Sequence, residues 1–456
     1  MKFSRRFAVV CSVIFLASAC AGGGDSAPST EGATTVADTA VPSTDTPIDI
    51  APAASCEGEL TASMPGVTAD EIRIGAVAQD TARLADIGLG IDLGDIEETF
   101  GVFVDEVNAA GGICGRTLVL DNVTLWNVLT DGADQEACLK VTQDVELAAV
   151  FSTAGWPSAA ARCVAAAGGR IHIVDYSYDT SVFDDSEGRL FTFGPTADDI
   201  LIAMVDYADT AGLLNGTVGV LYGTDIPDEG DLVDAVVVPA LEAAGVTPEL
   251  CRMSMSAGGS NGSTEVNLCI EQFKNAGVTT VIVGTDLLSM LLGRIEATTT
   301  GFEATWLGST YPMNTNINAG PILIKSFGGT AAMDGQLGLT PVGDFENSPE
   351  SASDCVDSWT AATGKTPANV AQVATIANIC TMVRQYASAM AAAGANPTEA
   401  DVVAALEGVG RFTLPSGVEG EWSADTHAAG LDMRVVRFST ANEAYEEVRG
   451  FEPLTK

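Results

Sequence analysis

The sequence predicts an α/β protein of two lobes, each built on a parallel sheet. Residues 71–116 read as a complete βαβ unit, and short β-branched runs alternate with helix-length stretches from there onward. The alternation restarts at residues 217–222 (TVGVLY), as a second lobe requires. No repeat of about 20–50 residues is evident, which argues against a solenoid.

In the opening unit, Ile72, Ile74 and Val77 make an apolar, β-branched strand. A polar loop with Gly88, Gly90 and Gly94 follows. Asp95 then offers an N-cap, with Glu98 at the position a capping box needs. Ile96, Phe100, Phe103, Val104 and Val107 recur at helical spacing, and Gly111-Gly112 can end the helix in left-handed backbone. A strand begins at residues 117–121. This connection makes the two strands parallel and the crossover right-handed. Folds of this kind hold ligands in loops at the carboxyl ends of their strands. Downstream, residues 133–147, 158–167 and 198–211 read as helices, and 148–153 and 170–175 as strands. In the second half, 228–244, 264–276 and 287–298 read as helices, and 217–222, 279–284 and 304–307 as strands. Helices are expected at 348–362, from Pro367 onward (Val370, Val373, Ala377, Cys380, Val383 and Tyr386 near one face) and at 398–406. Residues 412–456 hold short strand-like pieces, including 433–438, and residues 191–195 and 335–340 read as crossings between lobes.

The 456 residues suffice for two or three domains. Lys and Arg number 21 against 61 Asp and Glu, a formal charge of −40. That excess argues against a nucleic-acid partner and against electrostatic binding to anionic lipid head groups. At the amino end, Lys2, Arg5 and Arg6 precede an apolar run over residues 7–19. The run is too short to span a bilayer, which takes about 20 residues, and reads as a secretory signal peptide. It ends Leu16-Ala17-Ser18-Ala19-Cys20, which resembles a bacterial lipobox with Cys20 as the lipid-modified first mature residue. Ala17 departs from the usual leucine, and plain cleavage leaving a free Cys20 thiol is the alternative. Residues 21–55 contain no aromatic residue and cannot bury a core. They are expected to form a flexible tether reaching roughly 30–35 Å.

Setting aside Cys11 and Cys20 leaves eight cysteines, an even number that points to disulfides in an exported chain. Pairing neighbours gives Cys114–Cys138, Cys251–Cys269 and Cys355–Cys380, with Cys56–Cys163 left over; buried free thiols are the alternative. No CxxC occurs, and the acidic group Asp225, Asp228, Glu229 and Asp231 lacks EF-hand order, so no metal is expected. Gly88-x-Gly90 lacks the rest of a dinucleotide fingerprint, and no cofactor is expected.

The stretches IRIGAVA, FVDEVNAAGGICGRTLVL and AAVFSTAG, then TVGVLYG…DEGDLV…PALEAAGV and AGVTTVIVGTD, resemble the type I periplasmic solute-binding proteins. The leucine/isoleucine/valine-binding proteins of ABC transporters look most similar. The likeness runs from about Gly66 to Phe451, with residues 108–115 (NAAGGICG) its most specific part. It implies two Rossmann-like lobes joined by a three-segment hinge, with a ligand cleft between them and closure that signals a membrane permease. Lobe 1 would take residues 66–193 plus 340–412, and lobe 2 residues 194–339 plus 413–456, after a signal peptide (1–19) and a lipidated Cys20 with its linker (20–65). The implied protein is an extracytoplasmic, membrane-anchored receptor that delivers a small solute, an amino acid or related amide or carboxylate, to an ABC permease. A ligand-sensing domain for a signalling partner would share the fold and remains open.

The resemblance also orders the candidate site residues. Ser152 and Thr153 stand where the family's hydroxyl-rich loop opens a helix, suited to a carboxylate or other anion; N-capping is compatible with that role. Trp156 could wall the cleft or pack in a core. Tyr176 and Tyr178 follow the next strand at a ligand-contacting position, and alternation is expected to turn one of them inward. Asp80 and Thr81 end the opening strand, with Arg83 nearby as a solvated arginine or an anion contact. In lobe 2 the aromatic and carboxylate of the family's amino-acid binders are missing near Pro227 and Thr310. Asp225 or Asp286 could supply the acid, though Asp286 equally reads as a helix N-cap. Tyr311 could complete an aromatic box, and Trp306 reads as core.

One enzyme pattern must be weighed. Gly258-Gly259-Ser260-Asn261-Gly262 matches G-x-S-x-G, and His427 lies near Asp425. A nucleophile elbow needs a strand before the serine and a helix directly after it, whereas this match lies in a polar loop between Cys251 and Cys269. His172 sits in an apolar strand and reads as core. A secreted serine hydrolase is the third reading, and no catalytic residue is expected.

Overall fold

The computed structural model describes residues 56–454, apart from 82, 84–90, 128, 129, 131, 154, 156, 224–226, 254–259 and 346–349. The leader, Cys20, the linker to residue 55, Trp156 and Asp225 therefore lie outside the described residues. Strands β1 (Glu71–Gln79), β2 (Thr117–Trp126), β3 (Ala149–Thr153), β4 (Ile171–Val174) and β5 (Leu190–Thr192) form one parallel sheet in the order β2-β1-β3-β4-β5. A seven-stranded sheet holds β6 (Thr217–Gly223), β7 (Glu249–Met253), β8 (Val278–Gly284), β9 (Thr305–Ser309), β10 (Leu337–Thr340), β13 (Asp432–Ser439) and β14 (Ala444–Pro453). Its order is β14-β13-β10-β9-β8-β6-β7, parallel from β10 to β7 and antiparallel at β13 and β14. Strands β11 (Gly410–Thr413) and β12 (Glu419–Trp422) form a separate antiparallel pair.

The helices are α1 (Ile96–Ala109), α2 (Ala133–Leu139), α3 (Ser158–Arg162), α4 (Thr180–Asp185), α5 (Ala197–Thr210), α6 (Pro227–Leu232) and α7 (Val238–Ala243). They are followed by α8 (Ser260–Ala276), α9 (Leu287–Thr300), α10 (Gly320–Ser326), α11 (Glu350–Thr363), α12 (Val370–Ala393) and α13 (Glu399–Glu407). Asp95 caps α1 by accepting from the Glu98 N–H at 3.0 Å, and its apolar stripe is buried as spaced. Three expected helices contain π-helical turns, at Lys140–Asp144, Cys163–Ala167 and Val233–Val237. Strand β7 and helices α4 and α10 are additions to the sequence reading, as are β5 and β10, where residues 191–195 and 335–340 read as crossings.

The first core lies between the first sheet and α1, α11 and α12. Phe100 stacks on Phe151 at 6.0 Å, and Tyr386 of α12 meets Phe151 edge-on at 5.5 Å. All three rings are fully buried, each worth about 1.5–3 kcal/mol of transfer free energy. Helix α12 is apolar nearly all round, and most of its residues are buried. The second sheet has its own cores, one on each face.

Three segments run between the sheets, described over residues 193–196, 341–345 and 423–431. The third lies against the first, and the start of β13 lies against the second. Arg434 Nε donates to the Val342 carbonyl at 3.1 Å, and a Cβ on Gly430 would come within 2.5 Å of Pro195 Cδ. The third crossing falls later than the expected boundary at residue 413. Trp422 is buried beside Phe191, Phe193 and Phe412, and its Nε1 donates to the Thr192 carbonyl at 3.0 Å. The β11–β12 pair thus completes the first core.

All eight described cysteines are paired, but two of the four expected pairings change. The bonds are Cys56–Cys114, Cys138–Cys163, Cys251–Cys269 and Cys355–Cys380. Cys114–Cys138 and Cys56–Cys163 do not form. Cys138 on α2 and Cys163 just after α3 pack into one cluster against the same sheet face. Cys114 sits in the turn between α1 and β2, where the segment entering the fold at Cys56 passes. Chain order misled because β1 and β2 separate that turn from the α2–α3 face.

Candidate functional site

The carboxyl ends of β1, β3 and β4 in the first lobe and of β8 and β9 in the second carry most of the residues singled out from the sequence. Ser152, in β3, is 1 % exposed, and its Oγ lies 2.7 Å from His172 Nε2. Burial pushes the His172 imidazole down to about 3, so this ring is neutral. Thr153 points to the other face of the sheet, as alternation requires. Its Oγ1 donates to Asp175 Oδ2 at 2.6 Å, and Asn378 Nδ2 of α12 donates to the same oxygen at 3.0 Å.

Tyr176 and Tyr178 divide, and not by strand alternation, which would put residues two apart on one face: both follow the end of β4 in irregular backbone. Tyr178 is fully buried among Ala161, Ala165, Val174, Val182 and Leu190. Burial, with Tyr176 and Asp175 adding to it, pushes its hydroxyl well above the ordinary tyrosine range. Tyr176 stays partly exposed and packs against both this cluster and the core of the second lobe. Its ring meets Tyr178 edge-on at 5.5 Å and Tyr311, beyond β9, at 6.1 Å. A Cβ on Gly155, in the loop after β3, would lie 3.2 Å from Met313 Sδ. The two lobes therefore touch through Tyr176 and Tyr311 and through Gly155 and Met313.

Asp286 is a helix cap. Its Oδ1 accepts from the Leu288 and Ser289 N–H groups at 2.8 and 3.1 Å, and its Oδ2 from the Ser289 hydroxyl at 2.5 Å. Asp80 accepts from the Arg83 N–H at 3.3 Å and lies 3.6 Å from Arg83 Nε, with Thr81 partly buried beside it. Trp306 is core, as expected. The sequence reading missed Asn378, which reaches β4 from a helix about 200 residues away; the one signal was a polar residue within an apolar helix. It also missed Asn314, fully buried, which donates to the Val283 and Thr285 carbonyls at 3.2 and 2.9 Å and accepts from the Ser309 N–H at 2.8 Å. Asn314 ties the ends of β8 and β9 together.

Residues 71–443 match the sequence model of a family described as periplasmic binding protein. The chain belongs to that family. No curated protein matches it. Among solved structures, a substrate-binding protein of an ABC transporter from Desulfitobacterium hafniense, in complex with Leu, is 18 % identical. The match covers 83 % of this chain and all of that one, with a TM-score of 0.56. A fatty acid ABC transporter substrate-binding protein from Thermomonospora curvata is 14 % identical over 86 % of this chain and 95 % of its own, with a TM-score of 0.66. A leucine-binding protein from Thermotoga maritima is 15 % identical over 84 % and 99 %, with a TM-score of 0.61. At these identities the structures show a shared fold, that of the type I periplasmic binding proteins.

His427, one candidate base of the hydrolase reading, stacks on Phe191 at 4.1 Å and lies 3.1 Å from Glu407 Oε1. Among the described residues, no helix is long and apolar enough to cross a membrane, and no His, Cys, Asp and Glu side chains gather as a metal site. For Asp286 the capping geometry gives a definite expectation. Asp286→Ala lowers stability by about 1 kcal/mol through loss of the cap and leaves solute affinity unchanged. Thermal unfolding and titration calorimetry on the same variant check both halves.

Proposed function

We propose that this periplasmic binding protein is the solute receptor of an ABC importer. It captures a small solute between its lobes and presents the closed form to the permease. One observation carries the reading. Two parallel sheets point strand ends at a common region, and the lobes meet there through Tyr176 and Tyr311. Ligands of open α/β sheets bind at such ends. Ser152, Thr153, Tyr176 and Tyr311 are the proposed contacts, with Asp80, Thr81, Trp156 and Asp225 as the outlying candidates; Tyr178 is core and Asp286 a cap. The leader ending at Cys20 supports a lipid-anchored protein outside the cytoplasm, and four disulfides suit an oxidising compartment. The named ligands of the solved relatives, leucine and a fatty acid, support a small organic solute.

A thermal-shift screen of amino acids, amides, short carboxylates and polyamines tests the proposal. A true ligand at 100 times its Kd stabilises the protein by about 2.7 kcal/mol. Solution scattering should show compaction with that ligand, and Tyr176→Ala should erase the shift. Stabilisation by none of these classes, or consumption of the solute, overturns the receptor reading.

A further inference from the structure

A groove of about 620 Å³ opens on the second lobe, between α5 and the helical run that ends in α7. One wall is the second half of α5, with Ile202, Asp206 and Asp209. The other wall carries Ala235, Pro239 and Ala243. Both helices turn their opposite faces into a core of the second sheet, through Leu201, Met204, Val237 and Leu241. The three small residues recur every fourth position, so they share a helix face and put no long side chain over the hollow. The π-helical turn Val233–Val237 lies inside this run. Across from it Ile202, large and apolar, is 38 % exposed.

The lining holds two carboxylates and no Lys or Arg. Asp206 and Asp209 are exposed near the carboxyl end of α5, where the helix dipole adds to their negative potential. A second copy would bring the same pair of carboxylates against its own, in a chain of formal charge −40. An anionic lipid surface meets the same repulsion. The complementary occupant is therefore apolar on one side and basic beside it. Its length follows from the walls. Ile202 to Asp209 spans about 10 Å and Ala235 to Ala243 about 12 Å, close to two turns of a third helix. Small residues four apart let a helix backbone approach closely. The groove is also separate from the cleft. The start of α5 faces the cleft, since the Ala197 N–H donates to the Tyr178 carbonyl at 2.8 Å, whereas the groove lies toward its other end.

We propose that this groove docks a basic amphipathic helix of a second protein. Apolar side chains on one face of that helix fill the hollow beside Ile202, and Lys or Arg flanking them meet Asp206 and Asp209. Docking there leaves the cleft open, so the partner and a solute can be held at once.

Fluorescence anisotropy on the whole protein tests this with a labelled peptide of about 18 residues, leucine along one face and lysine on the other. At about 0.15 M salt, where attraction beyond contact range is largely screened, this peptide is expected to bind. Its counterpart with glutamate for lysine is not. Ala243→Gln puts a longer uncharged side chain into the groove from an exposed helical position. It should weaken binding at least about tenfold, with thermal unfolding unchanged. Asp209→Lys should weaken it about three- to tenfold. Asp357→Lys makes the same change of charge on an exposed position of α11 in lobe 1, and should leave affinity within about twofold. No binding of the lysine peptide overturns the proposal. A loss in Asp357→Lys as large as in Asp209→Lys overturns it too, because attraction would then come from overall charge alone. Equal binding of the glutamate peptide overturns the basic class. A dimer of the protein in sedimentation equilibrium that Ala243→Gln dissociates would assign the groove to a second copy instead.

Discussion

Acidifying this protein from pH 6.5 to 4.5 is expected to cost it about 2 kcal/mol of stability through His172 alone. The ring is fully buried, and burial lowers its value from the ordinary 6.5 to about 3. On acidification the unfolded chain therefore takes up a proton at this residue first. The stability is fully present above pH 6.5, drains as pH falls below it, and stops draining near pH 3, where the folded ring also titrates. The slope in that window is about 1.4 kcal/mol per pH unit. His172→Gln should flatten the difference between urea unfolding at pH 6.5 and at pH 4.5 by the same amount, about 2 kcal/mol. His427 is the only other histidine and is present in both proteins, so it cancels in the comparison. Equal pH slopes for the two proteins would show that His172 is not neutral in the fold. The neutral ring also matters for the site, because its Nε2 holds the Ser152 hydroxyl at 2.7 Å. His172→Gln should consequently weaken solute binding at pH 7, if modestly, through a less well-oriented Ser152.

The two-lobe fold was legible because its elements are locally consistent. Ile72, Ile74, Phe100, Phe103 and Val107 alternate or recur at the right period, and Asp95 caps where the spacing puts a cap. Strand β7 was not legible, because an edge strand of sequence ELCRM buries fully only Met253 and so has no apolar alternation. The π-helical turns leave no mark in spacing, since their burial pattern passes for α-helical. Ser152, Thr153, Tyr176 and Tyr311 could be singled out because strand ends are readable, whereas the division between Tyr176 and Tyr178 arises in irregular backbone beyond β4 that strand alternation does not govern. The capping role of Asp286 was readable from the helix that follows it. Asp175 was read only as the end of the strand at residues 170–175, and its partner Asn378 could not be placed. That contact depends on how α12 returns to the first sheet after the chain has run through five strands of the second. The two misassigned disulfides fail for the same reason: contacts between distant segments are decided by topology, and cysteine order along a chain does not encode it.

Arg116→Met is expected to destabilise the protein by about 4 kcal/mol while leaving solute affinity unchanged. Arg116 is 1 % exposed, and burial lowers its guanidinium from the usual range. Its Nε donates to the Thr68 carbonyl at 2.6 Å, Nη1 to the Ala395 carbonyl at 2.6 Å, and Nη2 to the Thr61 carbonyl and Asn396 Oδ1 at 2.9 and 3.1 Å. Methionine fills much of the same volume but donates nothing, so three backbone carbonyls lose a donor at once. Each such loss costs about 1–3 kcal/mol, offset in part because a charge need no longer be desolvated. The segment from Thr61 to Thr68 is held to the body by these bonds and, just upstream, by Cys56–Cys114. Hydrogen exchange in that segment should accelerate in Arg116→Met. Arg116→Lys should recover part of the stability, because one ammonium can reach one or two of the carbonyls. The site lies at the other end of the sheet, about 27 Å away along the nine residues of β1, and effects at that separation normally add without coupling. A change in solute affinity beyond about twofold would mean that the amino-end staple and the cleft share one cooperative element. An unchanged affinity means that lobe 1 anchors its entering chain at one end of its strands and carries the proposed solute contacts Thr153 and Tyr176 at the other. Tension on the entering segment would then reach the first lobe without disturbing the groups that meet the solute.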